Sequence, residues 1–349
     1  MKININNKKI KSLFLLSLVG SSVGQQASEN QTEALVPSAT SYPVLPQLST
    51  NFTSAEIIQK GPEQNVLIAG YPILVGINGI NGTVWNKCTG SFVIVNTNSS
   101  QCQNGNDYGG FLTSFFCLPP VFLDPNATQP GVVNWDNSVS LGKLYYGPEM
   151  NWNKSIDNYW HLSAEYVYIS ANLNSVKLLP LVPKTTDEGT TDLLPVIASS
   201  NPTSPGLPVC VYGAASGYQC GNITELNLNL AVPNLWIKGG PCDWCTDWML
   251  NNLNKVDLGT NGLLIEDIGA PVYTETQIGD RTLAQALGHV SIVDNNDPQH
   301  QTFYYTPLEQ TLDGIKNDHS CTYSLLTYNE TSSQEYDQLL AQIELPPKK

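Results

Sequence analysis

Positive charge is scarce in this sequence. Only 16 of its 349 residues are lysine or arginine, against 30 aspartate and glutamate, so the chain carries −14 at neutral pH. A surface of that sign repels phosphate backbones and anionic lipid, which excludes nucleic acid and membrane surfaces as partners. Charge of either sign is low, at 13%, beside 41% hydrophobic residues, so a sizeable core is within reach. Long apolar runs are lacking, and no segment is long enough to span a bilayer. Histidine is rare: His161, His289, His300 and His319 are the full set, with no H-E-x-x-H pattern or other dense metal spacing. No metal and no cofactor is expected. Helical periodicity is missing until Ser333–Leu345, where Tyr336, Leu339, Leu340 and Ile343 fall at helical spacing. No internal repeat stands out.

What is present points to export. Residues 1–24 read as a signal peptide: four lysines and no acid, then a short apolar run from Ser12 to Gly20, then small residues at Ser22-Val23-Gly24. Its removal would leave −14 − 4, or −18. Residues 25–64 are rich in Ser, Thr, Pro, Gln and Glu and read as a propeptide or linker. Eight Asn-x-Ser/Thr sequons occur, at Asn30, Asn51, Asn81, Asn98, Asn126, Asn153, Asn222 and Asn329. On an exported chain this density implies N-glycans on loops. The eight cysteines are even in number, as expected of a secreted, extracellular protein stapled by disulfides.

From Asn65 onward, short strands rich in β-branched and aromatic residues alternate with Asn-Gly, Gly-Gly and Pro turns. Ser91–Val95, Phe111–Thr113, Glu165–Ile169, Leu178–Val182 and Val209–Tyr212 are examples. The pattern predicts an all-β protein. A Thr-, Ser- and Pro-rich stretch from about Lys184 to Gly206 reads as a connector between two β units rather than a core element. The expected division is therefore a first unit over about 65–185, a second over about 205–325, and a C-terminal helix and tail over 326–349.

Four separated stretches resemble the chymotrypsin-like serine peptidases, in particular their streptogrisin and alpha-lytic-type branch. Cys88-Thr89-Gly90-Ser91-Phe92 and Gly110-Phe111-Leu112-Thr113-Ser114-Phe115-Phe116-Cys117 resemble the C-[ST]-x-G-F and G-F-L-T-A-G-H-C strands. The segment from Cys210 to Gly221, with Ser216-Gly217-Tyr218 inside it, is similar to the V-C-x-x-G-x-x-[ST]-G-W-x-C-G hairpin. Glu266-Asp267-Ile268-Gly269-Ala270-Pro271-Val272-Tyr273 resembles the nucleophile loop G-D-S-G-G-P-V-[FY]. Ala286-Leu287-Gly288, followed by Tyr304-Tyr305-Thr306-Pro307-Leu308, is similar to the closing strand and final segment. Order and spacing agree from about residue 66 to 318. The resemblance implies two six-stranded antiparallel β-barrels of the chymotrypsin type packed side by side, with the ancestral site in the cleft between them.

That site needs a serine activated by a histidine, a carboxylate that orients the histidine, and N–H groups for the oxyanion. The base position matches Phe116 and the nucleophile position matches Ile268; neither can carry a proton. Asp157 is the candidate for the carboxylate. The oxyanion loop reads Glu266-Asp267, with a side chain where the family has glycine. The edge of the specificity pocket reads Ser291-Ile292-Val293, whose branched side chains would narrow it. Ser291 is the nearest alternative serine and lacks the G-D-S-G surroundings. His289 is expected to be a structural histidine.

The resemblance also implies the disulfides Cys88–Cys117 and Cys210–Cys220, leaving Cys102, Cys242, Cys245 and Cys321 with three possible pairings. Cys242-x-x-Cys245 lies in an inserted stretch, Lys238–Leu253, and reads as structural rather than as a zinc or redox motif. Trp244 and Trp248, four apart, could share a helix face, as a hydrophobic plug or as an exposed anchor for a protein or glycan. The function expected is that of a secreted peptidase homologue without catalytic Ser and His that binds an extracellular peptide or protein, with glycan as a further possibility. An active endopeptidase with a relocated site and a bulk extracellular or cell-wall glycoprotein are the two rivals.

Overall fold

The computed structural model describes residues 65–79, 82–97, 109–118, 131–152 and 160–328, except 136, 138, 149, 187, 188, 190, 233–247, 296 and 298, together with the backbone of 47–48 and 343–344. The expected signal segment lies outside the described residues, and of the expected linker only the strand Gln47–Leu48 is described.

Strands dominate, and they form two units. The first contains β1 (Pro72–Gly79), β2 (Gly82–Thr89), β3 (Val93–Asn96), β4 (Gly109–Thr113), β5 (Gly131–Asn134), β6 (Ser140–Tyr146) and β7 (Val167–Ala171). They pair in the order β3-β4-β7-β6-β5-β1-β2, every neighbour antiparallel. Their inward faces bury Ile73, Val75, Val93, Phe111, Val132, Leu141, Val167 and Ile169 in one cluster. β-Branched and aromatic side chains at alternate positions produce this, since period-two burial sends one face inward.

A hairpin of β8 (Leu181–Thr185) and β9 (Thr191–Ser199) leads to the second unit. β9 lies in the stretch from about Lys184 to Gly206 expected to be a connector, yet Leu194 and Val196 are buried beside Val182 and β9 pairs in parallel with a strand of the second unit. The apolar run Leu193–Ile197 decides this: a mobile connector would leave it in water.

The second unit is a closed ring of β10 (Pro208–Gly213), β11 (Gly217–Val232), β12 (Trp248–Asp257), β13 (Pro271–Ile278), β14 (Arg281–Asp294) and β15 (Thr302–Pro307). β10 pairs β11, β11 pairs β12, β12 pairs β15, β15 pairs β14, β14 pairs β13 and β13 returns to β10, all antiparallel. Val209, Val211, Ile223, Val256, Val272, Leu287, Phe303 and Tyr305 fill its interior.

Helix α1 (Leu308–His319) follows β15 directly, burying Leu308, Thr311, Gly314 and Ile315 and ending on Ser320 in the left-handed region at φ 56°. Ala164 lies against Gly314 where a Cβ would stand 2.7 Å away. This helix is earlier than the one expected at Ser333–Leu345. Residues 333–342 lie outside the described residues, and Ile343–Glu344 is a strand paired with Gln47–Leu48. The α1 segment holds few apolar residues and a central glycine, so its periodicity is faint in sequence. After it, β16 (Tyr323–Leu325) crosses back and pairs with β3 of the first unit.

Candidate functional site

The turn that carries Phe116 is built by its neighbours. β4 is wholly buried, and a Cβ at Gly110 would stand 1.9 Å from the Ile169 carbonyl, so only glycine fits between β3 and β7. Ser114 then caps a single 3-10 turn, Phe115–Cys117: its Oγ accepts from the Phe116 N–H at 3.1 Å. Cys117 is bonded to Cys88 of β2, as the resemblance implies. Phe115 is buried with its ring edge-on to Trp248 at 5.4 Å, and Phe116 packs half-buried beside it at 5.9 Å.

The loop that carries Ile268 comes from the second unit. Ile265–Asp267 forms a 3-10 turn in which Asp267 N–H donates to Leu264 O at 3.0 Å and Ile268 N–H donates to Ile265 O at 3.3 Å. The Ile268 N–H is therefore consumed inside the loop, whereas an oxyanion hole needs donors aimed at open space. Glu266 is half-buried, and its carbonyl accepts from Thr89 Oγ1 at 3.0 Å. Thr89 N–H donates to Ile268 O, also at 3.0 Å, and Thr89 Oγ1 accepts from Ala214 N–H at 3.0 Å. Asp267 is sealed in. Its Oδ1 accepts from the Ala215 and Ser216 N–H groups at 2.8 and 3.2 Å, and its Oδ2 from Leu264 N–H at 2.8 Å. Burial pushes its carboxyl above the usual range, against these hydrogen bonds.

Ile268 itself is buried in the same cluster as Phe115, Cys117, Trp248, Leu250 and Tyr304. Ile292 and Val293, the expected pocket edge, pack half-buried against that cluster with Phe116. Ile268 and Phe116, the positions that the sequence resemblance matches to nucleophile and base, thus belong with Ile292 and Val293 to one apolar seam.

Ser291 takes another path. It is buried, and its Oγ donates to Glu165 Oε2 at 2.6 Å and shares a 2.7 Å bond with Thr306 Oγ1 rather than bonding the His289 ring. Glu165, immediately before β7, is the carboxylate at the Phe116 turn: Oε1 accepts from Ser114 Oγ at 2.6 Å and from Phe115 N–H at 2.5 Å. His289 Nε2 reaches its Oε2 at 2.8 Å. Burial raises the Glu165 carboxyl, but the His289 charge and the hydrogen bonds from His289, Ser114 and Ser291 outweigh it and hold it below the usual range. Asp157, the sequence candidate for this role, lies outside the described residues. Glu165 was legible only as a lone acid within an apolar alternation, the mark of a buried charge that has partners.

The other histidines stand apart from this site. Exposed His300 meets half-buried Asp257 through Nδ1 at 3.1 Å, His319 Nε2 donates to Gly147 O at 2.9 Å, and His161 is on the short strand Trp160–Leu162. Trp248 opens strand β12 and is 2% exposed, so it is neither helical nor an exposed anchor; it plugs the seam. Trp244, Cys102, Cys242 and Cys245 lie outside the described residues. Cys210–Cys220 is formed across directly opposed positions of the β10–β11 hairpin. Cys321 is buried and disulfide-bonded, to a cysteine outside the described residues. Asn222 is exposed, on strand β11 rather than on a loop; the other seven sequon asparagines lie outside the described residues. Among the described residues no group of three or more His, Cys, Asp or Glu could hold a metal, and no helix is long and apolar enough to cross a membrane.

In structure the chain is similar to chymotrypsin-like serine proteases. Thermobifida fusca Protease A is 18% identical, with 75% of this chain and 100% of that one covered at a TM-score of 0.47. Nocardiopsis protease is 18% identical with the same coverage and a TM-score of 0.44, and Cellulomonas bogoriensis chymotrypsin is 17% identical with the same coverage and 0.43. No family model and no curated protein matches the chain. At these values the likeness says nothing of activity.

Proposed function

We propose that this is an exported, glycosylated homologue of the serine peptidases that binds an extracellular peptide or protein and does not hydrolyse it. One observation carries the reading. Ile268, at the nucleophile position of the sequence resemblance, is buried in an apolar seam with Phe115, Phe116 and Trp248, and its N–H is taken by Ile265 O. Removing the Ser or the His of a Ser-His-Asp unit already costs on the order of a million-fold in turnover. Here neither nucleophile nor base has an ionisable atom, and a donor that would stabilise the oxyanion is occupied.

The reading requires no cofactor. The acidic charge balance favours a partner that is neither nucleic acid nor anionic membrane. The test is labelling of the purified glycoprotein with a serine-reactive fluorophosphonate, beside an active peptidase of the same fold. No labelling is expected. Saturable labelling of a single serine that disappears on denaturation overturns the reading.

A further inference from the structure

Five polar groups from both units converge on one buried carboxylate. Glu165 Oε1 receives Ser114 Oγ–H and Phe115 N–H, both from the first unit. Its Oε2 receives His289 Nε2 at 2.8 Å and Ser291 Oγ at 2.6 Å from β14, and Thr306 Oγ1 at 3.2 Å from β15. Glu165 is 2% exposed, and Ser114, His289, Ser291 and Thr306 are each 0% exposed.

We propose that Glu165 is an acid-sensitive pin between the two units, whose protonation opens the apolar seam at Phe116 and Ile268 while the closed ring of the second unit stays folded.

The chemistry follows from donor counting. An ionised carboxylate only accepts, and it meets the Ser114 hydroxyl, the Phe115 N–H and His289 Nε2, while Ser291 and Thr306, bonded also to each other, have two hydrogens for three contacts. Ser114 Oγ already accepts from Phe116 N–H, so its own hydrogen points at Glu165. Protonation removes the negative charge that His289 and these hydrogen bonds hold in a place water does not reach, and so weakens each of the charge-assisted bonds at once. The bonds weakened at Oε2 are those that cross between units and those at Oε1 lie within the first, whereas the ring's ladder pairs are untouched.

His289 is the titratable side chain on β14 in contact with the carboxylate, and its Nδ1 is buried without a hydrogen-bond partner. The 114–117 turn contributes no ionisable group, Cys117 being disulfide-bonded. Of the β15 neighbours, Tyr304 packs in the seam cluster under Lys255 and Tyr305 inside the ring. Tyr166, next in sequence, bonds Asp318 of α1 at 3.0 Å. Because the folded carboxyl is held below its usual value, the pin's contribution is complete above about pH 4.5 and is lost as pH falls through the lower, folded value.

The test is hydrogen exchange and apolar-dye binding on the full glycoprotein across pH 7 to 2. Expected in acid is fast exchange in 111–118 and 289–291 and dye binding, with β10, β11 and β13 still protected. Loss of protection in all segments at one pH overturns the proposal. Glu165→Gln should bind dye already at neutral pH and show no acid step; an unchanged acid step overturns it. Should that variant not fold, His289→Gln keeps a donor to Oε2 while removing the charge. It should move the acid step upward, since the His289 interaction is among the causes that lower the Glu165 carboxyl, and an unmoved step overturns the pin.

Discussion

Thr89 of the first unit holds the Ile268 loop of the second: its N–H donates to Ile268 O and its hydroxyl to Glu266 O, each at 3.0 Å. The hydroxyl also accepts from Ala214 N–H, so one buried side chain bridges three segments. Thr89→Val keeps the shape and removes both side-chain bonds. Loss of about 1–3 kcal/mol is expected, because Ala214 N–H is left buried without its acceptor. A urea titration reads this directly, and a variant as stable as the parent contradicts the bridge.

Rebuilding the missing side chains should not rebuild the chemistry. Phe116→His with Ile268→Ser restores a base and a nucleophile by residue type, yet the Ile268 N–H stays bonded to Ile265 O and Ile292, Val293 and Trp248 still fill the seam. No fluorophosphonate labelling is expected. Placing two polar groups in the apolar cluster should cost about 2–4 kcal/mol in the same variant.

Two glycines with positive φ separate strain from contact. At Gly269, φ is 90° and a Cβ would lie 2.2 Å from both Thr113 Oγ1 and Thr89 O; at Gly259, φ is 67° and nothing lies within 4 Å. Gly259→Ala should cost about 1 kcal/mol through its backbone alone. Gly269→Ala adds a clash with backbone and should cost about 3 kcal/mol or more. Thermal denaturation of the two variants side by side gives the ordering.

The disulfides should differ in worth by loop length. Cys88–Cys117 closes a separation of 29 residues and Cys210–Cys220 one of 10. Chain entropy then favours the longer by about 1 kcal/mol. Paired Cys→Ala variants of each bridge, compared in guanidinium, test the difference.

Asp267 gives a pH signature opposite to that of Glu165. Its folded carboxyl is raised by burial above 3.8, so the folded state holds the proton longer than the unfolded chain does. Stability contributed by this group falls as pH rises from about 3.8 through the folded value. Asp267→Asn removes the titration but turns an amide N–H toward a backbone donor. It should be destabilised at pH 4, with the gap to the parent narrowing by neutral pH; a gap constant with pH contradicts the assignment.

Much of this was legible in the sequence, where local chemistry is strong. Cysteine-bounded strands and the apolar replacements at 116 and 268 leave marks within a few residues. Glu165 was not legible, because its partners Ser114, His289, Ser291 and Thr306 are brought together only by tertiary pairing of strands far apart in the chain. Helix α1 escaped because Gly314 and a run of polar residues mask its apolar stripe. Trp248 reads like an exposed anchor at helical spacing from Trp244; only the pairing of Val232 with Trp248 makes it a strand residue turned into the seam.

The ring of the second unit has a consequence for the order in which the chain can be made. β15 closes it by pairing with both β12 and β14, and its first residue is Thr302. Until synthesis passes Pro307, β12 and β14 must wait with open edges, and the first unit waits longer still for β16 at Tyr323–Leu325. A nascent chain halted before that point presents unpaired strand edges to its neighbours. The barrel's freedom from edges is thus bought late, and a ribosome-bound intermediate is where this protein is most exposed to mispairing.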